Sequence, residues 1–287
     1  MVNHTAANVA PQLIYGNTPG VPGNAEADDE FGAALAVGDF NDDGFDDLAI
    51  GAPGEAIGTR QDAGAVFITY GSGTGLDAAT TQLVYGSTPG TPGIAEANDR
   101  FGQVLAAGDL TGDGIDELAI GIPHEDLGSQ VSAGAVLVLT GASGGLQTAG
   151  STLLTGSTPG LPGLGETGDE FGAALLIGNY DNGVGNELII GVPGESLGTT
   201  RNSGAVIIVD SDRSGPHADG STMIHGQTPG LPGWGETNDR FGSALALNSS
   251  GTSGRNSLVI GIPGEAVGDV ENAGAIIELA PVFTGGA

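Results

Sequence analysis

The strongest constraint on this chain is a fourfold internal repeat with a period of 70 residues. "EFGAALAVGD" at Phe31 returns as "RFGQVLAAGD" at Phe101, "EFGAALLIGN" at Phe171 and "RFGSALALNS" at Phe241. The turns beginning at Gly51, Gly121, Gly191 and Gly261, each Gly-X-Pro, keep the interval, as do the Thr-Pro-Gly turns at Thr18, Thr88, Thr158 and Thr228. A period of this kind marks one supersecondary unit copied along the chain, each copy burying its faces against its neighbours.

Each copy reads as four short strands. In the first these are "AALAVGD", "DLAIG", "GAVFITYG" and "TQLVYG", bounded by Gly, Pro, Asn and Asp. No window carries the 3.6-residue period of a helix. Gly accounts for 55 of 287 residues and aromatic residues for 5%, which suits many turns and closely approaching backbones. Four strands per unit repeated radially predict an all-β fold, a β-propeller of four antiparallel blades. The approximate blades are residues 19–87, 88–157, 158–227 and 228–280. A β-solenoid competes, but 70 residues is long for one coil. The Ala- and Gly-rich first strand suits a crowded central axis. "QLIYGNTPG" near the start matches the fourth strand of a blade at Gln82, and the repeats finish on "AGAIIELA", which matches a third strand. Residues 12–15 are therefore expected to complete the last blade, or to be donated to a neighbouring molecule.

The formal charge is −29, with six Arg and no Lys. Such a surface repels nucleic acid and anionic membranes and attracts cations. It also suits a salty environment, where screening relieves self-repulsion. Cys is absent, so neither disulfides nor thiol chemistry is available. No apolar run approaches membrane-spanning length, so no membrane insertion is expected. "MVNHTAANVAPQ" lacks the basic and apolar regions of a signal peptide.

Within the first copy, "GDFNDDGFDDLAIGAPGE" sets Asp39, Asn41 and Asp43 at alternate positions, then Gly44, with Asp47 closing the group. Alternating oxygen ligands around a Gly turn suit a hard cation such as calcium. The plain alternative is a solvated hairpin loop, since Asn, Asp and Gly are ordinary turn residues.

The Phe31-Gly32 pair, this loop and the literal Gly51-Ala52-Pro53, in that order, resemble the FG-GAP repeat of the integrin alpha-subunit propeller and its bacterial and archaeal relatives. The resemblance covers essentially the whole chain. It implies a propeller with calcium held in hairpin loops on one face, and an adhesion or ligand-recognition role at a cell surface or outside the cell. Integrin-type propellers have seven blades, whereas four repeats are present here. The family's calcium pattern falls on Asp39, Asn41, Asp43, the carbonyl of Phe45 and Asp47 in copy one. In copy two it falls on Asp109, Thr111, Asp113, the carbonyl of Ile115 and Glu117. Two calcium sites are expected. In copy three Gly183 stands where a carboxylate is wanted, beside Asn179, Asp181 and Glu187, so that site is weak or empty. Copy four, Ser249–Ser257, holds Arg255 and no carboxylate, so that site is lost.

Three more acidic series share the period: Glu26, Asp29 and Glu55, with their equivalents. Either they form a fourfold ligand or second metal site, or their carboxylates accept backbone N–H bonds in turns once per blade. The four His are scattered, and no Gly-X-Ser-X-Gly elbow occurs, so catalysis is not expected. Trp234, the only Trp, is either a ligand-stacking residue or loop packing. The functional expectation is a non-catalytic binding or adhesion module for a protein or glycan. The alternatives are a protein that self-assembles by strand exchange, and a propeller cut from a larger surface protein or enzyme.

Overall fold

The computed structural model describes residues 11–180, 185–232, 235–250 and 255–280. Asp181 and Gly183 of the third loop, the tip of the fourth, and Trp234 lie outside them.

The first blade contains strands β1 (Ala34–Gly38), β2 (Asp47–Ala52), β3 (Ala65–Thr69) and β4 (Gln82–Val84), antiparallel in that order. The second contains β5 (Val104–Gly108), β6 (Glu117–Ile122), β7 (Ala135–Thr140) and β8 (Gln147–Thr155). The third uses β9 (Ala174–Gly178), β10 (Glu187–Val192), β11 (Ala205–Val209) and β14 (Thr222–His225). A small hairpin of β12 (Ser211–Asp212) and β13 (Gly215–Pro216) stands before β14. The fourth contains β15 (Ala244–Ser250), β16 (Arg255–Ile262) and β17 (Ala275–Leu279). Among the described residues the one helical element is a single 3-10 turn at Ala78–Thr80. The expected all-β, four-bladed propeller arrangement is what the chain adopts.

The second and third strands carry apolar side chains on both faces, as β3 does with five buried residues from Ala65 to Thr69. Fully buried strands read as continuous apolar runs, because neighbouring blades cover both faces. The core accordingly lies between blades. One cluster joins Ala36, Val66 and Ile68 of the first blade to Leu118, Ile120 and Leu137 of the second, and the next two clusters repeat this arrangement down the chain.

Each junction carries a Phe-Gly plug. Phe101, Phe171 and Phe241 are at most 2% exposed. They sit in parallel bridges with Gly64, Gly134 and Gly204 of the preceding blade. Burying such a ring stabilises by about 1.5–3 kcal/mol. Two glycine positions are dictated by this closeness. A β-carbon on Gly51 would stand 2.1 Å from the Gly102 carbonyl oxygen, and one on Gly64 would stand 2.4 Å from the Phe101 amide nitrogen.

The innermost strands follow one another, β1 against β5, β5 against β9 and β9 against β15. No comparable interface joins β15 to β1 among the described residues, and Leu35 and Val37 of β1 are 59% and 57% exposed. The arrangement is an arc with two free ends.

The expected completion of the last blade by residues 12–15 is not formed. β17 pairs with β16 alone, and residues 11–15 are not in a strand. Instead Gln12 clasps the first blade, its Nε2 donating to the Leu76 carbonyl (3.1 Å) and its Oε1 accepting from the Leu76 amide (3.3 Å). Gln82 makes the same reach to the second blade, donating to the Leu146 carbonyl at 3.0 Å. The physical reason is that an outer strand grips the blade that follows it, so this segment is anchored at the first blade whether or not β17 arrives beside it.

Candidate metal centre

The β1–β2 loop is shaped by its own side chains. Asp39 accepts the amides of Asp43 (3.2 Å) and Gly44 (2.9 Å), one on each oxygen. Asn41 Oδ1 accepts the Asp43 amide at 2.9 Å, and Asp43 Oδ1 accepts the Phe45 amide at 2.9 Å. These are short-range turns that Asn and Asp make readily, and left-handed Asp42 and Gly44 (φ 60° and 82°) let the chain double back. Asn41 Nδ2 also donates to Asp43 Oδ2 at 3.2 Å, so Asp39, Asn41 and Asp43 are brought together at the surface.

Asp47 is turned the other way. It is 1% exposed, with Oδ2 accepting the Phe40 amide (2.9 Å) and Oδ1 accepting the Gly71 amide (2.7 Å). Burial pushes its pKa up, against those two amides, and the charges of Asp43 and Asp39 push the same way. Asp47 therefore roots the loop to the start of β2 and the end of β3. Phe45 is 46% exposed.

The second loop repeats the plan with one difference. Asp109 accepts the amides of Gly112 (2.7 Å), Asp113 (3.2 Å) and Gly114 (3.0 Å), and Asp113 accepts the Ile115 amide at 2.9 Å. Glu117 is fully buried, with Oε2 accepting from Leu110 (2.8 Å) and Thr111 (3.1 Å). Its other oxygen, Oε1, has no well-formed hydrogen bond, and neither has the buried Thr111 Oγ1. Burial lifts the Glu117 pKa to about 7, although the Leu110, Thr111 and Gly141 amides all act to hold it down.

Among the described residues no three Asp, Glu or His side chains converge into a ready cation cage. The donor chemistry nevertheless fits a hard cation. The ligands are all oxygen, largely anionic, and the second loop leaves the buried Thr111 Oγ1 without a hydrogen bond, a state that costs about 1–3 kcal/mol. Asp39, Asn41 and Asp43 would hold calcium in the first loop; the expected fourth side chain, Asp47, is turned away from them, with one oxygen on the Phe40 amide and the other on the Gly71 amide. Asp109, Thr111, Asp113 and Glu117 would hold it in the second, with the carbonyls of Phe45 and Ile115. The ion would neutralise carboxylates that now repel one another. In the fourth blade the equivalent strands stay paired as far as Ser250 and Arg255.

The other acidic series lie at the opposite end of each blade. Asp29, Asp99, Asp169 and Asp239 each accept an amide three residues upstream, from Glu26, Glu96, Glu166 and Glu236, at 2.5–2.6 Å. For the Asp series the turn-bonding reading holds. The Glu55 series differs. Burial, with the charges of the neighbouring Asp and Glu as the lesser cause, raises Glu55 and Glu195 to about 7 and Glu125 to about 8.

Two features were not anticipated. Asp116, inside the acidic run, binds no loop of its own. Its Oδ2 accepts the Asp39 amide at 3.0 Å, stapling the second blade to the first, and Asn186 Nδ2 makes the same link to the Asp109 carbonyl at 2.8 Å. The residue before each Phe-Gly alternates in sign, and Arg100 pairs with Glu30, and Arg240 with Glu170 at 2.6 Å, across blade junctions. That signal was legible as "EFG", "RFG", "EFG", "RFG". A cleft of about 330 Å³ opens beside the first loop, lined by Asn41, Asp43, Tyr70, Asp77 and Gly145.

Residues 31–69 and 101–139 match the family model of the FG-GAP repeat. Integrin alpha-3 of Cricetulus griseus is 32% identical over 139 residues, covering 48% of this chain and 12% of that protein. Phosphatidylinositol-glycan-specific phospholipase D of Rattus norvegicus is 32% identical over 162 residues, 56% of this chain and 18% of that protein. Integrin alpha-M of Mus musculus reaches 45% over 94 residues, 32% of this chain and 7% of that protein. The chain thus spans less than a fifth of each of these relatives.

Proposed function

We propose that this chain, which carries integrin-like FG-GAP repeats, is a calcium-holding propeller module of a secreted or cell-surface protein, and that it takes a protein or glycan ligand on its loop face. The observation that carries the calcium half is the buried Thr111 Oγ1, which has no hydrogen-bond partner, in a loop otherwise built of carboxylates. Bound calcium gives this hydroxyl oxygen the partner it lacks and fixes the hairpins that join the first two strands of blades one and two. Ligand recognition follows from loops displayed on a rigid scaffold, and the cleft between Asp43 and Gly145 is the place for it. Catalysis is assigned to none of these residues.

Calorimetric titration of calcium into chelator-stripped protein tests this. Two binding events per chain are expected, with Asp39→Ala and Asp109→Ala each removing one. A wild-type titration without heat, together with an unchanged melting temperature, would end the calcium reading. A second reading, a propeller cut from a larger surface protein or enzyme, draws on the small share of each relative that the chain matches.

A further inference from the structure

We propose that the two ends of the arc are complementary, and that the chain associates head to tail with a second copy of itself. The Phe31-Gly32 edge of one copy enters the open face of the other copy's fourth blade. This does not depend on the calcium sites.

The template for that contact is made three times within the chain. At each internal junction a Phe amide donates to the carbonyl of Ala63, Ala133 or Ser203 of the preceding blade at 3.0 Å. There too, Gly51, Gly121 and Gly191 are pressed against the carbonyls of Gly102, Gly172 and Gly242. Leu105 and Ala107 pack into the cluster formed with Ala36 and Val66, and later blades repeat this.

The arc leaves one half of this junction bare at each end. On the fourth blade, Gly261 meets only atoms of Ala244 in its own blade. Ile276 is 75% exposed where its equivalents Val66, Val136 and Val206 are fully buried. An open apolar groove of about 530 Å³ runs over Ala244, Gly261, Ile262, Gly274, Ala275 and Ile276. On the first blade, Phe31 is only partly buried, its ring tilted against Phe67 with centroids 5.1 Å apart, and Leu35 and Val37 stand exposed. Every part of a fourth junction is present once, unpaired.

Two more observations favour a second copy as the occupant. Gln12 already grips the first blade as Gln82 grips the second, so a docked copy carries residues 12–15 alongside β17, which lacks an outer partner. Strand addition of this kind satisfies an open sheet edge. The sequence alternation Glu30, Arg100, Glu170, Arg240 also sets opposite signs, Arg240 of one copy and Glu30 of the other, on the two sides of the new junction, and Arg240 already pairs with Glu170 within its own copy. A head-to-tail contact closes into a ring or runs on as a filament, according to the angle between successive copies.

The test is solution mass by sedimentation at high protein concentration and moderate salt. Two single-end variants are needed, Ile276→Arg on the groove and Leu35→Asp on the plug, both at exposed side chains so that melting curves of dilute, dissociated protein stay unchanged. Wild type is expected above the single-chain 28.0 kDa and each variant at it. An equal mixture should give a two-chain species that grows no further, because one good groove and one good plug remain. A wild type that stays at single-chain mass, including one closed on itself, overturns the proposal. So do single-end variants that assemble as wild type does, or a mixture that stays monomeric.

Discussion

Gly51 and Gly102 face each other across the first blade junction so closely that a β-carbon on Gly51 would lie 2.1 Å from the Gly102 carbonyl oxygen. That oxygen belongs to backbone and has no room to retreat. Gly51→Ala is therefore expected to destabilise by about 1–3 kcal/mol, the usual cost of overpacking. Gly261→Ala, at the equivalent place on the free end, has its nearest neighbour at 3.2 Å, the Ala244 side chain. In dilute protein it should stay within about 0.5 kcal/mol of wild type, as substitutions away from packed features do. Denaturant melts of the two variants check the contrast, and equal losses would refute this account of the junction.

Calcium should stabilise the fold, and so raise its melting temperature, by a free energy set by its free concentration over its dissociation constant, about 2.7 kcal/mol at a hundredfold excess for one site. Asp43→Ala should remove the first-loop share alone. Glu117→Gln should also abolish the second-loop share, but with a stability change of its own, since the buried charge goes with it. Thermal melts with and without chelator separate the two.

Stability should fall as pH rises from about 5 to 8 in calcium-free buffer. Glu125 is raised from an ordinary 4.5 to about 8 by burial first, then by Asp99, Glu96 and Asp126. Glu55 and Glu195 are raised to about 7. A carboxyl whose folded pKa lies above its unfolded value holds its proton more tightly when folded. Its stabilising effect is complete below the unfolded value and lost as pH passes the folded one. Glu125→Gln, which keeps the neutral shape, should match wild type near pH 5 and exceed it at pH 8. A variant with the same pH slope as wild type would show that Glu125 does not titrate in this window.

The Arg100–Glu30 pair is partly exposed and should contribute only about 0.2–1 kcal/mol. Arg100→Glu places like charges across the junction and should lower the melting temperature by a few degrees. The swap Glu30→Arg with Arg100→Glu should restore most of it. A double-mutant cycle without coupling would mean that the pair is ornamental.

Much of this is legible in the sequence. The strands could be placed because apolar runs such as Ala65–Thr69 end abruptly at Gly and Asp, and because the 70-residue period checks each boundary four times. The loop residues Asp39, Asn41 and Asp43 were legible because their spacing dictates their mutual contacts. Asp116 was not. It and Glu117 are adjacent carboxylates on an acidic run, and only the pleat, which sends neighbours to opposite faces, gives one to the previous blade and the other to the interior. Whether the ends meet was illegible for a related reason. Closure depends on the angle accumulated over three junctions, and no single repeat encodes it.

Because, among the described residues, each blade leans chiefly on the blades beside it in sequence, unfolding of the single, unassociated chain should not be all-or-none. The chain is a one-dimensional lattice in which the two middle sites have two bonds and the terminal sites have one. Amide exchange should accordingly be fastest at the first and fourth blades and slowest at the second and third, so the molecule would melt as a string frays, from its ends inward.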